Sequence, residues 1–265
     1  MSDAALSVAA RAARNAAAVI EDAARDLRRL PAFSREHREI VSVADSEAEN
    51  AIATTLLGAF PDHAIFGKSG AAYSGRNPNA PYRWIIDAID GSSNFAHGYP
   101  FYAISIALAH GAELTHAVVL DPVRDEMFTA IKDHGAQVDG VPARISSCTE
   151  LGHALLGTAF PGRSNPSLSA YLPILDALIP RCGGLRRSGA CALDLAYVAA
   201  GRLDGFFVMS ARSSDVAAGA LLVRESGGMA GDFAGGNEYL RSSEVIAAAP
   251  GVFSPLRQAI AAART

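Results

Sequence analysis

Residues 84–95 read WIIDAIDGSSNF, and the order of apolar and acidic residues in them sets how the rest of the chain is read. Trp84, Ile85 and Ile86 belong to a buried strand expected over 82–86, yet Asp87 and Asp90 follow at once, three positions apart. Either the strand stops here or something neutralises the acids. Gly91, Ser92 and Ser93 come next, a small run whose backbone N–H groups can face one anion. Two carboxylates in a D-x-x-D turn can share a hard cation, and oxygen ligands with room for water and phosphate suit magnesium. The same residues also read as an ordinary turn in which one acid caps the next helix and the other is solvated.

Upstream of this stretch, Leu6, Ala10, Ala13, Ala17, Ile20, Ala24 and Leu27 recur at helical spacing and predict an amphipathic first helix. The alanine- and arginine-rich start resembles a targeting segment in composition, but Glu21, Asp22 and Asp26 interrupt it. A second helix is expected over 46–57, with Ser46 and Glu49 in capping-box spacing, Asp45 just before it, and Gly58 and Pro61 as stops. Residues 70–81 read as a loop that delivers the chain to the strand. Downstream, strands over 102–109, 115–120, 126–132 and 136–138 predict an antiparallel meander. Beyond residue 150, strands over 154–159, 205–209 and 245–249 interleave with helices over 171–178, 191–200, 216–226 and from Pro255. This alternation implies mixed α/β layers in one domain over 1–265, with sublayers over roughly 1–145 and 146–265.

The chain has 265 residues, half of them hydrophobic, enough for a large core. A charged fraction of 19% and a formal net charge of -4, with no long basic run, argue against direct nucleic-acid binding. No apolar run approaches the ~20 residues that span a bilayer. Cys148, Cys182 and Cys191 are odd in number and lack C-x-x-C spacing, which fits reduced thiols in a cytoplasmic protein.

A third acid lies far along the chain. Asp215 follows Ser213 and Ser214 and opens the apolar run VAAGALLVRESGG, where capping alone would explain it. Taken together, WIIDAIDGSSNF and SSDVAAGALLVRESGG resemble the two signature motifs of the inositol monophosphatase family. YAISIAL, VVLDPVRDEMFTA, LRRSGACALDLAYVAAGRLDGFF and the GGNEY region extend the resemblance to one bacterial branch of it. That resemblance implies a layered αβαβα sandwich, Mg2+ as cofactor, a phosphorylated sugar or polyol as substrate, and a homodimer. It assigns Asp87, Asp90 and the Ile89 carbonyl to metal coordination and Asp215 to the leaving-group metal. Asp90, Gly91, Ser92, Gly189, Val208 and Asp215, with Ile89, would line the phosphate and substrate site. Ser92 would orient the attacking water in place of the usual Thr, and Asp45 would be a supporting acid. Two metals of this kind clamp the attacking and departing oxygens.

The pattern breaks in HAIFGKSG, residues 63–70, where the family usually reads G-E-[ED]. Lys68 stands where the first Glu would hold the water-activating metal. At about 4 Å and an effective dielectric near 20, one charge pair is worth roughly 4 kcal/mol, so a divalent ion would lose about 8 kcal/mol of attraction and meet repulsion instead. Either Lys68 points outward from a shifted loop, or its ammonium fills the vacant position and contacts phosphate as a surrogate cation. Lys68 therefore joins Asp87, Asp90 and Ser92 as a candidate catalytic residue. Val208 replaces a Glu that contacts the inositol ring, Ser214 replaces a Trp, and Ala88 replaces a Pro. Arg186 and Arg187 read as phosphate ligands or as surface charges, and His97 as a solvated histidine near the acids.

Two functions follow from the resemblance. One is a Mg2+-dependent phosphomonoester hydrolase with weakened turnover. The other is a catalytically lapsed protein acting through RNA polymerase or antitermination factors, because the bacterial branch is associated with transcription complexes. A third, action on fructose bisphosphate or a nucleotide phosphate, fits the middle of the chain less well.

Overall fold

The computed structural model describes residues 2–30, 34–68, 72–73, 77, 80–161 and 167–264. Two long helices open the chain, α1 (Ser2–Leu27) and α2 (Arg35–Ala59). Ala9, Ala12, Ala13 and Ala16 of α1 are almost wholly buried, and their small side chains let it lie close against α2. The start of α2 differs from the expected one. Ser34 is its cap, accepting a hydrogen bond from the His37 N–H at 3.1 Å, so Ser46 and Glu49 lie mid-helix and form no capping box.

Eight strands form the first sheet: β1 (Ala64–Phe66), β2 (Ala72–Tyr73), β3 (Tyr82–Asp90), β4 (Ala103–His110), β5 (Glu113–Asp121), β6 (Glu126–Ile131), β7 (Gly135–Val138) and β8 (Val141–Pro142), with the short helix α3 (Ser92–His97) between β3 and β4. Their spatial order is β2-β1-β3-β4-β5-β6-β7-β8. From β3 onward the strands run as the expected antiparallel meander, while β1 pairs parallel with β3. Ala72 and Tyr73 form a strand where a loop was expected, and much of the rest of 70–81 lies outside the described residues.

The second sheet contains β9 (Leu155–Ala159), β10 (Gly184–Arg186), β11 (Gly205–Met209), β12 (Met229–Gly231) and β13 (Glu244–Ala248), in the order β10-β9-β11-β13-β12. Helices α4 (Leu168–Leu178), α5 (Cys191–Ala199), α6 (Ser213–Glu225), α7 (Tyr239–Ser242) and α8 (Pro250–Ala262) complete the chain. Helix α8 begins at Pro250, and Pro255, expected to open it, lies inside.

The hydrophobic clusters define five layers. Trp84, Ile86, Ile104 and Val118 of the first sheet pack on α1 and α2. The opposite face, with Ala103, Ala107 and Val119, meets α5 and α6, which also cover Phe206, Val208, Val245 and Ala247 of the second sheet. Leu156, Phe207 and Ile246, on that sheet's far face, pack against α4 and α8. The result is the αβαβα sandwich expected from the resemblance. Both faces of both sheets are covered, which explains why the strands are apolar almost throughout. Among the described residues no helix is long and apolar enough to cross a membrane.

Candidate metal centre

The strand containing Trp84 does not stop before the acids; β3 runs through both of them to Asp90. Side chains three positions apart on a regular strand point to opposite faces. Here Asp87 pairs with Ser105 of β4, but Asp90 pairs with Ala103, a one-residue slip. Such a bulge re-aims the residues beyond it, and it brings both carboxylates to one side. At Gly91 the backbone then turns with φ +90°, and a β-carbon there would lie 3.1 Å from the Phe101 carbonyl and the Ala190 methyl. Only glycine fits this turn into α3 without strain.

Four hydrogen bonds draw distant segments towards the end of β3. The Ala192 N–H, at the start of α5, donates to Asp90 Oδ2 at 2.6 Å. Asn94 Nδ2 donates to the carbonyls of Phe101 at 2.6 Å and Ser188 at 2.9 Å, holding Gly189 beside α3. Ser105 Oγ donates to the Ser214 carbonyl at 3.3 Å, fixing the start of α6. Asp215 comes with it, and Asp87, Asp90 and Asp215 each offer a carboxylate oxygen within 4.8 Å of the other two. Asp215 also caps its own helix, accepting from the Arg212 N–H at 3.2 Å, so the local and the convergent readings of this acid hold together.

The electrostatics follow from burial. Asp87 is fully buried and is pushed up to about 6, first by desolvation and then by Asp215 and Asp45, against the pull of Lys68 and Arg212. Asp90 is driven well above the carboxylate range by burial and by Asp87 and Asp215. Asp87 Oδ1 accepts the Ile89 N–H at 3.1 Å, while Oδ2 is buried with no hydrogen-bond partner among the described residues. A buried carboxylate oxygen without a donor costs free energy, which a bound cation would recover. Hard oxygen donors clustered around this orphaned atom fit one magnesium ion.

Residues 1–264 match the inositol monophosphatase family. The chain belongs to that family. It is 44% identical over 247 residues to Nus factor SuhB of Pseudomonas aeruginosa, covering 91% of this chain and 90% of the relative. The crystal structure of extragenic suppressor protein suhB from Bartonella henselae superposes with a TM-score of 0.87 at 33% identity, covering 97% of this chain and 99% of that one. Inositol monophosphatase from Anabaena gives a TM-score of 0.86 at 29% identity, over 97% and 95%.

Lys68 departs from the family pattern, and it points inward. Its Nζ donates to the Ile89 carbonyl at 2.7 Å and lies 3.4 Å from Asp87 Oδ1, with the side chain 14% exposed. Gly67 allows this approach: a β-carbon there would sit 2.2 Å from Glu49 Oε1, on which the backbone rests. A second metal held by the Ile89 carbonyl does not fit beside this ammonium. Sequence reasoning missed Arg212, whose Nε lies 3.3 Å from Asp215 Oδ1, and Asn94; the signal for both was adjacency to the two motifs. It also gave Glu49 a capping role, whereas Glu49 is a buried support under Gly67.

Other candidates make contacts of their own. Val208 is 3% exposed within the central core, and Arg187 stacks over the Phe160 ring at 5.2 Å. Arg186 Nη1 donates to the Leu185 carbonyl, and His97 Nδ1 is 2.7 Å from the Ser93 carbonyl. Cys191 adjoins the acids, and desolvation followed by their charge pushes its thiol well up.

Asp194 of α5 is buried, and burial pushes it up to about 7 against the pull of Ser188 and Arg187. An acid raised in the folded state holds its proton where the unfolded chain, near pKa 4, has lost it. Its contribution to stability is therefore intact below pH 4 and falls as pH rises towards 7, by roughly 4 kcal/mol as an upper bound. Asp194→Asn is expected to flatten that slope and to melt above the parent at pH 8, as thermal denaturation across pH 5 to 8 would show; an unchanged slope would mean the group is ionised throughout.

Proposed function

We propose that the protein is a Mg2+-dependent phosphomonoester hydrolase acting on an inositol phosphate or a related sugar phosphate, with weakened turnover. The convergence of Asp87, Asp90 and Asp215 around an orphaned carboxylate oxygen carries this reading. Magnesium held by these three acids would supply charge neutralisation for the departing oxygen. The Gly91 turn and Ser92 bind the phosphate, the Ser92 hydroxyl orients water, and Gly189 closes the substrate side. Turnover is weak because the Ile89 carbonyl is already engaged by Lys68. Selectivity for the ring is reduced, since Val208 stands in place of a polar contact and is packed into the core. Release of inorganic phosphate from a panel of sugar and polyol monophosphates under excess Mg2+ tests the proposal. Slow Mg2+-dependent release is expected; none from any substrate would reject it.

A second reading, a regulatory partner of RNA polymerase or antitermination factors, is supported by the 44% identity to Nus factor SuhB across nine-tenths of both chains. Co-purification of polymerase with the tagged protein would support it. A homodimer is supported by Leu168 and Leu172 of α4 and Ile179 at its C-cap, which are exposed at spacings of four and seven, with the exposed Phe160 nearby. A monomeric mass in solution would overturn that part.

A further inference from the structure

We infer that Lys68 is a tethered cation that permanently replaces one of two metal ions, so that this chain binds a single divalent cation and keeps its acid cluster together without a second. The inference deepens the proposed reading and rests on it. Three observations carry it. The ammonium makes a 2.7 Å hydrogen bond to the Ile89 carbonyl, the oxygen that a metal at this position would need. It sits 3.4 Å from Asp87 Oδ1 and makes no hydrogen bond to the orphaned Oδ2. The backbone that presents it lies on Glu49 through Gly67, so the lysine is aimed by a close-packed turn.

Charge points the same way. A lysine in place of a glutamate at position 68 changes the local charge by two, the charge of one magnesium ion. Unlike a soluble ion, an ammonium on its own chain is always present, so assembly of the site does not depend on magnesium concentration. An ammonium cannot, however, polarise a water molecule as a metal does. The substitution therefore separates holding phosphate from hydrolysing it.

The test counts metal ions rather than turnover. Mn2+ binding to the full-length protein is measured by electron paramagnetic resonance and calorimetry for the parent, Lys68→Glu and Lys68→Gln, with melting curves in metal-free and Mg2+ buffers. One Mn2+ per parent chain and two per Lys68→Glu chain are expected, with Lys68→Glu melting lower than the parent without metal and recovering in Mg2+. Lys68→Gln, which removes the charge without adding a ligand, is expected to bind its single Mn2+ roughly tenfold tighter or more, because a nearby positive charge has gone. This second variant keeps the test decisive should the first fail to fold. Two ions on the parent, or unchanged stoichiometry in Lys68→Glu with unchanged affinity in Lys68→Gln, would overturn the inference and leave the metal-centre reading standing. No Mn2+ on any of the three proteins would overturn both.

Discussion

Asp90→Asn is expected to lower Mg2+ affinity at least a hundredfold while leaving the metal-free protein as stable as its parent. The asparagine carbonyl can still accept the Ala192 N–H that Asp90 Oδ2 receives at 2.6 Å, so the tie between β3 and α5 survives. What disappears is one of three charges around the ion. An unscreened charge pair at about 4 Å is worth roughly 4 kcal/mol in an effective dielectric near 20, and twice that for a divalent ion. Discounted to about 3 kcal/mol, the loss exceeds a factor of 100, at about 1.4 kcal/mol per tenfold. Without a cation, burial and the charges of Asp87 and Asp215 already favour a protonated Asp90, which an amide mimics in shape and charge. The informative comparison is therefore the change in melting temperature on adding Mg2+. A ligand at about 100 times its Kd contributes about 2.7 kcal/mol to the parent, and that increment should vanish in Asp90→Asn. A variant that still responds to Mg2+ as the parent does would show that the ion sits elsewhere.

The largest effect on stability is expected from Trp84→Ala, at about 3–5 kcal/mol. Trp84 is fully buried on the face of β3 that meets α1 and α2, with the Phe60 and His63 rings each 6.0 Å away. Removing it opens a cavity between the first sheet and its covering helices, which close packing on both sides prevents from collapsing. Its indole N–H has no hydrogen-bond partner among the described residues, so Trp84→Phe loses volume but sheds an unsatisfied donor. Chemical denaturation should rank the parent and Trp84→Phe within about 1.5 kcal/mol, with Trp84→Ala far below. Equal losses in both variants would mean that the indole N–H matters and the packing does not. Trp84 is the chain's one tryptophan, so the parent's fluorescence reports on this layer directly.

The two predictions separate the parts of the same strand. Residues 82–86 hold the layers together, while residues 87–90 carry the charge that those layers bury. Burial in the central layers is what raises Asp87 and Asp90. A site of this kind is therefore expected to be lost whenever the core around β3 loosens, even if each acid is retained.

Much of the chain was legible in its residues alone. Helical spacing in α1, the alternation of strands and turns from β4 to β7, and the apolar run of α6 each reflect a local period that the backbone imposes. The two motifs, read together, pointed to the family and to the layers. Local period could not place the start of α2, because Ser34 caps it twelve residues before the Ser46-Glu49 pair that mimics a cap. Nor could it show that Asp87 and Asp90 share a side, since that depends on a slip in pairing with β4, a segment separated from them by a helix. The direction of Lys68 is of the same kind. A lysine on a turn can swing outward into water or fold inward, and the choice rests on the Ile89 carbonyl, the Asp87 carboxylate and the Glu49 side chain under Gly67. The sequence by itself determined which residues are acidic and most of the stretches that are helix or strand, because those follow from chemistry and from neighbours a few positions away. Only the tertiary structure decided which charges meet, because Coulomb forces depend on distances in space, and those are set by the packing of segments far apart along the chain.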